Sequence, residues 1–79
     1  MTHITIYSTP SCVYCKMAKQ FFEAHHFPYK GLNVAEDLTA REEMVQKSHQ
    51  LGVPVIDVDG KILVGFDHEG LAELLNVKS

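Results

Sequence analysis

The chain holds two cysteines, Cys12 and Cys15, with two residues between them in the stretch "YSTPSCVYCKMAKQFF". Thiols at this spacing do one of three things. They form a reversible redox pair, supply half of a metal site, or sit together in a core. A redox pair needs one activated thiol and a second within reach. Residues three apart on a helix are neighbours, at a separation a disulfide can bridge. Cys12 falls at or just before the first turn of a helix-like run. There, unpaired N–H groups and the positive end of the helix dipole stabilise an anion. Its pKa is therefore expected below the free value of about 8.5. Lys16 and Lys19 can add positive potential. In this reading Cys12 is the attacking thiolate, and Cys15, one turn in and more sheltered, is the resolving thiol.

The metal reading needs further ligands. His25 and His26 are adjacent and follow Cys15 too closely for finger-like spacing, and His49 and His68 stand alone. The core reading is weakened by the position of the pair at a strand-to-helix turn. Spacing alone leaves all three open.

The elements that must position the pair are legible in outline. "HITIYS" (3–8) alternates, is rich in β-branched residues and ends before Pro10, which reads as a strand. From Val13 to about His25 the apolar residues Tyr14, Met17, Ala18, Phe21 and Phe22 recur at helical spacing, and Pro28 blocks continuation. "YKGLNV" (29–34) is a weaker second strand. "TARE" (39–42) has capping-box form, with Thr39 as N-cap and Glu42 three residues on. Behind it Ala40, Met44, Val45, Ser48 and Leu51 keep helical spacing, with Gly52 as the stop. "PVIDV" and "KILVG" flank Asp59-Gly60, a two-residue hairpin signal. Asp67 can cap a last helix carrying Leu71, Leu74 and Leu75. The order β-α-β-α-β-β-α implies an α/β fold. Its first two strands are parallel with a right-handed crossover, and its last two are an antiparallel hairpin. A four-stranded mixed sheet in the order 2-1-3-4, with helices on both faces, buries the apolar stripes. Phe21 and Phe22 are assigned to the core, and Tyr7 and Tyr29 to packing. His25 and His26 are expected to complement the end of helix 1, and the charges of "EDLTAREE" to form a solvated face.

Composition excludes several classes. Seventy-nine residues, 46% hydrophobic, are expected to make one globular domain over 1–79. A net charge of −3 gives no footprint for nucleic acid. No apolar run approaches the roughly 20 residues of a membrane span. The start Met1-Thr2-His3 lacks signal-peptide features, so a cytoplasmic location is expected.

Together, "YSTPSCVYCKMAKQFF" after a first strand, "GVPV" at 52–55 and "VGFD" at 64–67 resemble the glutaredoxins and their small glutaredoxin-like relatives, which share the thioredoxin fold. The resemblance covers essentially the whole chain. It implies a thiol–disulfide oxidoreductase with Cys12 as nucleophile and Cys15 as resolving cysteine. Tyr14 would line the site. Pro54 would be cis, with Val53 offering its backbone N–H and C=O to a bound peptide or glutathione. Gly65 holds the second position of the family's Gly-Gly, and Asp67 matches the aspartate that meets the glutathione amino group. Phe66 resembles instead the small redoxins that feed electrons to ribonucleotide reductase.

The departures matter as much. Val13 replaces the active-site proline, Val64 the first glycine, and Thr9 a common glutathione-binding lysine. The expectation is a monomer with no bound cofactor. Glutathione would be its reducing cosubstrate and disulfide-containing proteins its partners, with no nucleic acid or membrane among them. One alternative is a redoxin reduced by a thioredoxin-reductase-type flavoprotein. Another is a glutathione-ligated iron–sulfur cluster carrier, which the absent proline keeps open.

Overall fold

A computed structural model of the chain describes residues 3–76. The elements are β1 (Ile4–Ser8), α1 (Val13–Ala24), β2 (Lys30–Asn33), α2 (Leu38–Ser48), β3 (Val55–Val58), β4 (Lys61–Val64) and α3 (His68–Leu75). The sheet runs β2-β1-β3-β4, the expected order. β1 and β2 are parallel; β3 is antiparallel to both β1 and β4. At the β3–β4 turn Asp59 and Gly60 have φ of 51° and 91°. Two successive positive values suit a hairpin whose twist matches its strands. The Asp57 carboxylate accepts the Gly60 N–H at 2.8 Å and holds that turn.

Strand alternation divides the core between two faces. Ile4, Ile6, Ile56 and Val58 meet Ala18, Phe21 and Phe22 of α1, and Leu71, Ala72 and Leu75 of α3. On the other face Tyr7 and Val55 meet Val34 and, from α2, Ala40 and Met44. The i, i+3, i+4 spacing of the α1 residues is what presents one apolar stripe to the sheet. Phe22 and Tyr7 are completely buried. Burying a side chain such as Phe22 contributes roughly 1.5–3 kcal/mol.

Two local expectations are corrected. The N-cap of α2 is Asp37, not Thr39: its Oδ1 accepts the Ala40 N–H at 3.1 Å. The turn after β2 delivers Asp37 in extended geometry, because Asn33 O accepts the Asp37 N–H at 2.9 Å and Asn33 Oδ1 the Ala35 N–H at 3.0 Å. Thr39 therefore falls inside the first turn. At the other end the helix stops at Ser48, not at Gly52. His49 takes the left-handed conformation, and the Ser48 hydroxyl turns back to Met44 O at 2.7 Å. Leu51 lies beyond the helix and is exposed. His25 stands at the end of α1 as its C-cap, and its ring packs 4.6 Å from that of Phe21.

Candidate active site

Three segments converge on one end of the sheet. The first leaves the carboxyl end of β1. Ser8 O accepts the Val34 N–H at 3.0 Å, and the chain then turns, with Thr9 O accepting the Cys12 N–H at 3.3 Å. The second precedes β3 and contains Val53 and Pro54. The third leaves β4 as Gly65, Phe66 and Asp67. Register brings them together. Tyr7 faces Val55, and Val55 faces Val64. One residue further, Ser8, Pro54 and Gly65 continue the row, and Pro54 O accepts the Gly65 N–H at 2.8 Å.

Cys12 is the N-cap of α1, with extended φ of −84° and ψ of 113°. Its Sγ accepts the Cys15 N–H at 3.1 Å. The cysteines form a disulfide with 5.2 Å between their Cα atoms. They differ in access: Cys12 is half-buried, and Cys15 is 1% exposed. A helix-start N–H aimed at Sγ favours the anion whenever the bond is reduced. Around the pair Val13, Tyr14 and Met17 stand exposed.

The Val53–Pro54 bond is cis, as the resemblance implied. Val53 is half-buried, and among the described residues it makes no backbone hydrogen bond. Gly65 has φ of 82°, and nothing lies within 4 Å of where a Cβ would stand. Glycine is needed there for its backbone conformation, not for space. Phe66 is half-buried, with its ring 6.5 Å from that of Phe21 and 6.3 Å from that of His68, so it joins the α1–α3 packing. Asp67 caps α3 through Oδ1, which accepts the Gly70 N–H at 3.1 Å. Thr9 is half-buried and brings no charge to the site. Among the described residues, no three His, Cys, Asp or Glu side chains group where a metal ion could be held.

A second polar cluster escaped the sequence reading. The buried Tyr7 hydroxyl donates to Glu43 Oε1 and accepts from Lys47 Nζ at 3.3 Å. Lys47 also donates to Asp57 Oδ2 at 2.7 Å and pairs with Glu43 at 3.3 Å. Burial, then the bond to Glu43, pushes the Tyr7 phenol above its ordinary value. The bond from Tyr7, then that from Lys47, holds the Glu43 carboxyl below its own. The bond to Asp57 is the largest cause raising Lys47. The i, i+4 spacing of Glu43 and Lys47 was a visible signal, but their meeting with Tyr7 needed the sheet. "EDLTAREE" is thus not wholly a solvated face. Arg41 lies exposed in an outer groove of α2 beside Leu38, Val45 and Leu51.

Known proteins place this geometry. Residues 4–63 match the family profile Glutaredoxin. A relative from Clostridium pasteurianum, an uncharacterized glutaredoxin-like 8.6 kDa protein in a rubredoxin operon, is 44% identical over 91% of this chain and 96% of its own. The glutaredoxin-like protein NrdH of Lactococcus lactis subsp. cremoris is 32% identical over 90% and 97%. Among solved structures, that of the thioredoxin-like protein BC3987 superposes with a TM-score of 0.85 at 28% identity, covering 90% of this chain and 97% of that one. A redox-type Cys-x-x-Cys disulfide at a helix start, on a thioredoxin-fold sheet, agrees with all three likenesses, and the chain belongs to the glutaredoxin family.

Proposed function

We propose that this glutaredoxin-like redox protein reduces protein disulfides and glutathione mixed disulfides, with glutathione as its reductant. The carrying observation is the asymmetry of the Cys12–Cys15 disulfide: one sulfur reachable at a helix N-cap, the other buried behind it. In the reduced protein the Cys12 thiolate attacks a substrate disulfide. A Cys12–substrate disulfide forms, and the first substrate sulfur leaves as a thiolate that takes a proton. Cys15 loses its proton and attacks Cys12 Sγ. The Cys12–Cys15 bond closes, and the second substrate thiol departs. Two glutathione molecules reverse this. The first opens the disulfide and leaves glutathione on Cys12; the second attacks the glutathione sulfur and departs as oxidised glutathione.

Two features support glutathione binding. The free N–H and C=O of Val53 suit an added peptide strand. Asp67 has a carboxylate for an ammonium group, and the uncharged Thr9 weakens the site without removing it. Tyr14, Pro54, Gly65 and Phe66 complete the wall. This chemistry suits the cytoplasm, where thiols are kept reduced, and needs one copy of the chain.

A second reductant, a thioredoxin-reductase-type flavoprotein, is favoured by Thr9, by Phe66 and by the likeness to the NrdH protein. The test measures disulfide turnover with glutathione and glutathione reductase against turnover with thioredoxin reductase. Glutathione-driven turnover that falls in Asp67→Ala and rises in Thr9→Lys supports the proposal. Efficient turnover with the flavoprotein alone overturns the choice of reductant.

A further inference from the structure

Two helices of this protein begin with the same aspartate cap and differ at the residue whose N–H that cap accepts. Asp37 and Asp67 are both N-caps in extended geometry. Each accepts, through Oδ1, the N–H three residues on, and each bond measures 3.1 Å. In α2 that third residue is Ala40; in α3 it is Gly70. Nothing in the α3 backbone calls for glycine here: Gly70 lies inside a regular helix and carries no positive φ. Glycine is the poorest helix former apart from proline. What glycine does supply is space for neighbouring atoms.

That space is occupied. A Cβ on Gly70 would stand 2.7 Å from Asp67 Oδ2, 3.0 Å from Cγ and 3.5 Å from Cβ. The second carboxylate oxygen of Asp67 lies where any other residue at 70 would put its first side-chain atom. Ala40 shows that an aspartate cap tolerates a Cβ at the corresponding position. Gly70 is therefore not needed for the cap bond. What it permits is the present orientation of the carboxylate, with Oδ2 standing where a Cβ would be.

We propose that Gly70 is a positioning residue for Asp67: it lets the carboxylate lie flat over the first turn of α3, and so sets the direction in which its remaining lone pairs face a ligand ammonium group. The role in glutathione recognition rests on the function proposed above; the positioning itself does not. Substituting alanine turns the carboxylate into an orientation that clears a Cβ, as at Asp37. The cap bond survives, and the charge stays in place but aims elsewhere.

The experiment is a cycle of Gly70→Ala, Asp67→Ala and the double variant. It reads KM and kcat with glutathione, thermal midpoint, and the 13C resonance of the Asp67 carboxyl. Gly70→Ala is expected to raise KM for glutathione roughly threefold to tenfold, a part of what a charge-assisted hydrogen bond carries. The kcat should stay within about a factor of two, and the midpoint should stay level or rise by up to about 5 °C, because alanine favours the helix. In the Asp67→Ala background, Gly70→Ala should leave KM unchanged. An effect on KM that persists without the carboxylate overturns the proposal, as does an unshifted Asp67 resonance in Gly70→Ala. If the resonance shifts but neither single variant alters KM, the positioning stands and glutathione recognition by Asp67 falls.

Discussion

At the carboxyl end of β1 the chain leaves polar groups open; on the α2 face it closes them. Val53 makes no backbone hydrogen bond among the described residues, and Cys12 Sγ receives a single N–H. By contrast Tyr7, Glu43, Lys47 and Asp57 are bonded to one another across β1, α2 and β3. Among the described residues no buried side-chain nitrogen or oxygen lacks a partner. The difference separates two tasks. Under the proposed function the open groups await a substrate that completes the bonding. Closed groups serve rigidity, since a buried polar group left unpaired costs about 1–3 kcal/mol. The two regions share strands. Tyr7 lies beside the end of β1 that leads to Cys12, and Asp57 lies at the end of β3 away from Val53.

The largest expected effect tests the open region. Cys12→Ser abolishes disulfide reduction, while Cys15→Ser leaves Cys12 reactive and accumulates mixed disulfides, visible by mass spectrometry as adducts on Cys12. If Cys15 is the faster-alkylated thiol in the reduced protein at neutral pH, the asymmetry read from burial is wrong.

Next in size is the charge at the rim. Asp67→Ala should lower glutathione-driven turnover at low glutathione by about tenfold, the scale of one charge-assisted hydrogen bond. Thr9→Lys should raise it by about threefold, since an exposed ion pair is worth about 0–1 kcal/mol. Asp67→Ala also removes the α3 cap and should lower unfolding free energy by about 0.5–2 kcal/mol, whereas Thr9→Lys should leave the urea midpoint in place. A midpoint that falls in Thr9→Lys makes that part of the rim scaffold.

Lys47→Met examines the closed region. It removes the donor to Tyr7 and Asp57 and should lower unfolding free energy by about 1–2 kcal/mol, the scale of lost hydrogen bonds with part of the site solvated. Turnover below the melting range should change little. Comparable losses of turnover and stability would join the two regions into one unit.

The smallest effect is a pH dependence. The Glu43 carboxyl is held below its ordinary range by Tyr7 and Lys47. Its contribution is present above the unfolded-state value of about 4.3 and fades as pH falls through the depressed folded value. Half of its side chain faces solvent, so the effect is under about 1 kcal/mol. Glu43→Gln should narrow the difference between urea midpoints measured at pH 7 and pH 3. An unchanged difference removes Glu43 from the cluster's energetics.

The sequence by itself determined the element order, the Asp59-Gly60 hairpin and the Asp67 cap. Each rests on local physics: hydrophobic period, turn residues that tolerate positive φ, and a side chain that accepts a nearby N–H. It also placed Cys12 ahead of Cys15, because helix polarity is set by chain direction. Tertiary structure decided where local signals competed or partners were distant. The capping-box form pointed to Thr39, and the turn from Asn33 put Asp37 at the cap instead. Ser48 and His49 ended α2 before Gly52 was reached. The Tyr7–Glu43–Lys47–Asp57 cluster joins residues up to 50 positions apart, which only the pairing of β1 with β3 brings together. The orientation of Asp67 against Gly70 likewise depends on the rotation of a carboxylate, to which residue spacing is blind.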